Sequence, residues 1–294
     1  MKPCAVCFFI LITFSGFSQN SYKPEYRLEP SDSCLVNFDV YSQSTQKVGD
    51  DEQTVSSEKH IVYTFGIGLN GDSSFTVSVR FKKINEEIKD RFGQKRYFSS
   101  DSDMNSVSEV YSVFLQTPLK FKLNRKGGLK ELYNPDSLFA DKESAKQIFK
   151  RSVDKKIIHG LPVQVVFPEN AVVEGESWKV SDTGEFEFFK IYDKTFTLDS
   201  ADTEHFFISE KALISSDKNR RIQMNGVFVS YDMTGKLYGN YLINRKNGIA
   251  EKVTIKLRSY GNVFMRYSEN SEPAYDWTID ISEVKNIRTE KFKK

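Results

Sequence analysis

Gly175-Glu176-Ser177 matches the first three positions of G-x-S-x-G, the turn that presents a nucleophilic serine in many acyl-transfer enzymes. That elbow needs glycine on both sides of the serine, because the backbone there turns sharply in a crowded space. In this chain the fifth position is Lys179, and Trp178 follows the serine directly. The next stretch, Glu185-Phe186-Glu187-Phe188, reads as a strand and not as the helix an elbow requires. The segment therefore reads as structural: a β-turn at Val173-Glu174-Gly175-Glu176 with Gly175 at positive φ, feeding a strand that buries Trp178 and Val180.

The other residues with chemical potential are sparse. His60, His159 and His205 are the three histidines, and no two are spaced as a helical metal pair. There is no Cys/His cluster, so no metal site is expected. Ser152-Val153-Asp154-Lys155 fits S-x-x-K but lacks the companion signatures of that enzyme class. Asp101-Ser102-Asp103 resembles a fragment of a calcium loop without its glycine and distal glutamate, and reads as a solvated loop. No phosphate-cradling glycine loop is present. The expectation is no catalytic residue, no metal and no cofactor, with ligand-binding residues not assignable from sequence. A hydrolase gathered from distant strands stays open.

The elements that position these residues are mostly strands. Alternation with period two marks half-buried strands. Ile61, Tyr63, Phe65, Ile67 and Leu69 share one face, as do Phe75, Val77, Val79 and Phe81, and Asn70-Gly71 between them suits a tight turn. This predicts a hairpin of 61–69 with 74–82. Val36, Phe38 and Val40 alternate before the polar stretch 42–59, read as a loop or weak edge. Leu119, Phe121 and Leu123 lead into the turn Asn124-Arg125-Lys126-Gly127-Gly128 and then 129–133. Further alternating runs follow at 163–167, 186–188, 196–198, 206–208 and 227–233. Tyr241 to Ile243 precedes a second such turn, Asn244-Arg245-Lys246-Asn247-Gly248, before runs at 253–257 and 275–281. Such one-sided patterns suit antiparallel sheets. One segment differs: Ala145, Ile148, Phe149, Ser152, Val153 and Ile157 recur at helical spacing, predicting a helix at about 141–158, with Asp141 at its start and Gly160 just past its end. The fold class expected is mainly β, an antiparallel curved sheet or half-barrel with one main α-helix packed on it, in a single domain at 19–294.

The N-terminus reads as a signal peptide at 1–18: Lys2, the apolar run Phe8 to Phe14, and small residues at Gly16 and Ser18. Cys4 and Cys7 precede the end of the apolar run, so they do not make a lipoprotein signal. Cys34 alone remains, and its apolar neighbours Leu35 and Val36 make it a small buried hydrophobe. An exported chain without disulfides must be stable through its core. The net charge of +2 gives no case for nucleic acid or for an anionic membrane surface. Its 24 Phe and 14 Tyr, largely on alternating positions, either fill a core or line a cavity. The expected localisation is periplasmic or extracellular, and no integral membrane segment is expected.

The order of features resembles a family of secreted envelope proteins of unknown function from Gram-negative bacteria. The resemblance rests on the P-x-x-x-V-x-x-G-x-S-W pattern at Pro168, Val172, Gly175, Ser177 and Trp178, and on the late turn Asn247-Gly248-Ile249 where the family has a T-G-L-like turn. Residues 200–225 match it poorly. The resemblance implies an envelope protein and brings no catalytic residues. A looser fold-level similarity is to periplasmic lipoprotein carriers, whose half-barrels hold acyl chains. The expected function is non-enzymatic binding of a hydrophobic ligand, a lipid or a lipidated protein, in the concavity of the sheet. The alternative is a protein-interaction or scaffold module that uses a sheet face or edge.

Overall fold

The computed structural model describes residues 20–70, 74–101, 115–116, 118–133, 160–180, 185–186, 189–224 and 226–291. Fourteen strands form one sheet. They are β1 (Cys34–Val48), β2 (Asp51–Asn70), β3 (Ser74–Lys89), β4 (Lys95–Ser99), β5 (Leu119–Asn124), β6 (Leu129–Tyr133) and β7 (Ser177–Val180). Then come β8 (Glu185–Phe186), β9 (Phe189–Ala201), β10 (His205–Ser216), β11 (Ile222–Met224), β12 (Val227–Asn244), β13 (Ala250–Arg266) and β14 (Tyr275–Lys291). The main path runs β6-β5-β3-β2-β1-β14-β13-β12-β10-β9-β7, with β4 on β3, β8 on β9 and β11 on β12. Every strand pairing in the sheet is antiparallel. The path is open: β6 and β7 lie at opposite ends.

The predicted hairpin forms as β2–β3, with Phe65 opposite Val79 and Ile67 opposite Val77. The stretch 42–59 is a correction. It is not a loop: β1 and β2 pair throughout, from Cys34 opposite Phe65 to Val48 opposite Asp51, around a turn with Gly49 at positive φ. Its residues are polar on both faces, so the alternation that signals a strand is missing. Neighbour ladders hold it, with β14 pairing the other edge of β1 as far as Lys47. The helix expected at 141–158 lies outside the described residues, as do the signal segment 1–18, His159 and Ser152 to Lys155. Among the described residues helical structure is confined to short turns such as the 3-10 turn Pro30–Asp32.

A second correction explains the sheet's shape. Val163, Val165 and Phe167 alternate as a strand would, yet residues 160–167 join no ladder. They cross the concave side of the sheet as an irregular segment that turns at 160–163, with Leu161, Val163, Val165 and Phe167 buried. Backbone polar groups buried without a ladder need other partners. Gly160 O accepts from the Tyr63 hydroxyl on β2. Pro162 O accepts from Ala250 N on β13 at 2.9 Å, and Val166 O from the Trp178 indole on β7 at 2.7 Å. Phe167 N donates to Lys126 O, in the β5–β6 turn, at 2.8 Å. One eight-residue segment thus touches elements spread along the whole path, which requires the sheet to wrap around it.

Residues 22–28 thread the same interior, held by the two Asn-Arg-Lys turns. Tyr26 N donates to Arg125 O at 2.8 Å and Arg27 N to Asn247 O at 3.0 Å, one from each turn. In both turns the asparagine side chain accepts the backbone N–H two residues on. Tyr26, only 1% exposed, donates its hydroxyl to Val165 O at 2.9 Å and so ties the two interior segments together. Gly127 sits at φ +91°, and a Cβ there would fall 2.4 Å from Val165 O, so only glycine fits where the turn meets the crossing segment.

Candidate functional site

The turn read at Val173–Glu176 forms, while Trp178 and Val180 on the strand that follows are partly buried. Glu176 N donates to Val173 O at 3.1 Å, and Gly175 has φ +82°, as the turn predicted. Ser177 Oγ shares a hydrogen bond with Thr197 Oγ1 across β7–β9 at 2.8 Å, and the residue is exposed. Among the described residues no histidine is its partner. His60 Nδ1 instead meets Asp39 Oδ1 at 2.5 Å on the outer face. His205 lies between Asp202 and Glu251, at 3.6 and 3.2 Å. Asp101 pairs with Lys83 at 3.3 Å. Among the described residues no group of three His, Cys, Asp or Glu side chains is placed to hold a metal. The Pro168–Trp178 pattern works as a clamp. Val172 and Tyr22 exchange two backbone hydrogen bonds, and Trp178 stacks on Phe196 with ring centroids 5.7 Å apart.

The concave face divides into two parts. On β7, β9, β10 and β12 it is filled. Phe196, Leu198 and Ile208 are fully buried there, and Tyr241 is 3% exposed. This part encloses a charge: Glu210 meets Lys194 Nζ at 3.0 Å and accepts the Tyr241 hydroxyl. Burial, reinforced by the Glu210 carboxylate, pushes the Tyr241 phenol well above its usual range, so it stays a donor.

On β3, β2, β1, β14 and β13 the concave face opens into a groove. A cavity of about 430 Å³ lies between these strands and Gly160-Leu161, where the crossing segment enters. Phe38, Ile61, Tyr63, Phe81 and Leu161 line its deep end. Register sets a charged row across its middle: Lys285 on β14 lies opposite Val40, Val40 opposite Lys59, and Lys59 opposite Glu86. Lys59 reaches Glu86 at 3.3 Å, and Lys285 reaches Glu283 at 2.8 Å. Below that row Ser42 and Ser57 share a 2.9 Å hydrogen bond, and Val55 and Ile281 restore an apolar lining. The groove therefore presents an apolar end, a charge-balanced belt and a hydroxyl-bearing mouth. The Tyr63 phenol beneath it is held protonated by burial. Cys34, as expected, is buried, and burial pushes its thiol up to about 12.

The Lys59, Glu86, Glu283 and Lys285 belt was not visible in the sequence. Its members come from three strands, and an inward-facing charge on an alternating strand reads as a break in the pattern. The one local signal was that the apolar positions of β1 give way to serines after Val40 while the ladder continues.

Fold and site together describe a wrapped antiparallel sheet with its own chain laid through the interior and, among the described residues, a groove beside Gly160. The chain belongs to a family of unknown function (DUF6263), whose model matches residues 72–250 and so includes the Pro168–Trp178 clamp and both Asn-Arg-Lys turns. No curated protein matches the sequence. Solved structures with some likeness include the COG4313 outer membrane channel from Pseudomonas putida F1, at 7% identity over 90% of this chain and 97% of that one, TM-score 0.22. OccK7 (OpdD) of Pseudomonas aeruginosa stands at 6% identity over 87% and 98%, TM-score 0.23. A DUF1329 family protein from Desulfovibrio piger ATCC 29098 stands at 7% over 88% and 87%, TM-score 0.16. Likeness at this level carries no argument. Among the described residues no helix is long and apolar enough to cross a membrane.

Proposed function

We propose that this is an exported, non-enzymatic envelope protein that binds a hydrophobic or amphipathic ligand, such as a lipid or the acyl chain of a lipidated partner, in the groove beside Gly160. The observation that carries the reading is the cavity of about 430 Å³ itself, apolar at its deep end and crossed by a charged belt. Ligand sites typically span roughly 300–1,000 Å³ and combine apolar walls with a few placed polar groups. Gly160 and Leu161 of the crossing segment border this groove, which makes it the place we assign to the ligand. Export is read from the segment at 1–18, and the resemblance to secreted Gram-negative envelope proteins supports that compartment. The outward face argues against a membrane-spanning barrel. Lys236, Lys256 and Arg258 point out from mid-strand, where each lysine or arginine would cost about 2–4 kcal/mol at a bilayer midplane.

The test is native mass spectrometry of the protein purified without detergent from its own cell envelope. The expected result is a discrete added mass, removed by organic extraction and identified as lipid. A clean apo mass, with no mass gained on incubation with lipid extract, would overturn the reading in favour of an interaction module.

A further inference from the structure

The whole-chain charge of +2 conceals a basic patch on the outer face. Register places Lys211, Tyr238 and Lys256 side by side across β10, β12 and β13. The next row is Leu213, Lys236 and Arg258. Their chain neighbours Ala212, Leu237 and Leu257 are buried on the concave side, so these six side chains point outward, and all six are exposed. Arg258 pairs with Asp280 at 2.9 Å, but among the described residues nothing pairs with Lys211, Lys236 or Lys256. Strand spacing and rise put the four cations within about 10 Å across the strands and about 7 Å along them. Lys236 stands directly opposite Arg258 in the ladder, and like charges so placed are destabilising. A fold that keeps this arrangement gains when an anionic partner neutralises it.

We propose that this face docks on an anionic lipid bilayer surface. The cations form a two-dimensional array and not the linear stripe that tracks a single polymer strand. Tyr238 sits between two lysines of its row, Tyr260 continues the patch at 61% exposure, and Leu213 flanks it. Rings and leucine beside basic residues gain at a headgroup boundary, and the apolar Leu213 finds no such gain on an aqueous polyanion. The proposal is independent of the groove: it concerns the opposite face of the sheet, and either reading can fail without the other.

The test is co-sedimentation of the purified protein with phosphatidylcholine vesicles, with and without phosphatidylglycerol, from low to high salt. Binding is expected only with phosphatidylglycerol, and it should weaken as salt rises. Each basic residue near an anionic surface contributes roughly fivefold, so the triple variant Lys211→Gln/Lys236→Gln/Lys256→Gln should lose on the order of 100-fold in binding. Lys89→Gln and Lys246→Gln, exposed elsewhere, should bind as the parent does. Circular dichroism checks the fold of each variant; if the triple variant misfolds, Lys256→Gln alone and the salt dependence of the parent decide. Equal binding to neutral vesicles, a salt-insensitive interaction, an unaltered triple variant, or retention on heparin with no vesicle binding would each overturn the proposal, the last pointing to a soluble acidic polymer.

Discussion

The filled and open parts of the concave face are built alike and end differently. Both use long antiparallel strands with alternating inward residues, and both hold inward Lys–Glu pairs. In the filled part, Lys194 and Glu210 lie under Trp178, Phe196 and Tyr241, with the Glu210 side chain 2% exposed. In the open part, Lys59 and Glu86 face a cavity, with side chains 33% and 14% exposed, while Lys285 and Glu283 beside them are 9% and 15% exposed. The difference comes from what lies over the strands. Among the described residues, 160–167 are tied to β13 at Pro162, to β7 at Val166 and to the β5–β6 turn at Phe167, and of this segment Gly160 and Leu161 border the cavity. A packed core tolerates no vacancy without cost, whereas a groove beside an irregular segment can persist.

The largest effect should separate the two parts. Breaking a buried ion pair costs about 3–5 kcal/mol because it strands a charge. Lys194→Met should therefore lower the unfolding free energy read from denaturant titration by that order, and Lys59→Met, at the half-exposed pair, by about 0–1 kcal/mol. Equal losses would erase the contrast. Trp178→Phe keeps a ring on Phe196 but leaves Val166 O without its donor, at a cost of about 1–3 kcal/mol. A change under half a kcal/mol would show that the clamp does not hold the crossing segment.

Alkaline pH supplies the next test. A folded-state thiol near 12 lies above the ordinary unfolded value, so the unfolded chain sheds this proton first. Stability from Cys34 is complete below the unfolded value and is lost as pH rises toward about 12, with a slope of at most about 1.4 kcal/mol per pH unit. The buried phenols of Tyr63 and Tyr241 act in the same direction. Cys34→Ala should flatten the alkaline fall measured by urea titration at several pH values; an identical fall would place the loss elsewhere. The smallest stability effect is expected in the groove. Val40→Phe adds a ring beside the charged belt and should change stability by less than about 1 kcal/mol, yet abolish any added lipid mass. Retention of that mass would move the ligand out of the groove.

Much of the fold was legible where one face is apolar and the other polar. The β2–β3 hairpin, the two Asn-Arg-Lys turns and the Gly175 turn all followed from local pattern. The polar halves of β1 and β2 were not legible, because their inward serines face a groove and lack the apolar signature of burial. Residues 163–167 misled because alternation reports burial of alternate side chains and is silent about hydrogen-bond partners. The candidate site was invisible for a related reason: its four charges lie on three strands.

By itself the sequence determined a mainly antiparallel β protein, the two Asn-Arg-Lys turns, the Gly175 turn and a buried thiol. These are local properties, set by backbone sterics and by side-chain period. Only the tertiary structure decided that residues 160–167 cross the concave side, which inward charges border the groove beside them, and that Lys211, Lys236, Lys256 and Arg258 share one outer patch. Those outcomes depend on strand register and on the path of residues 160–167, which bring together positions far apart in the chain and leave no local mark on it.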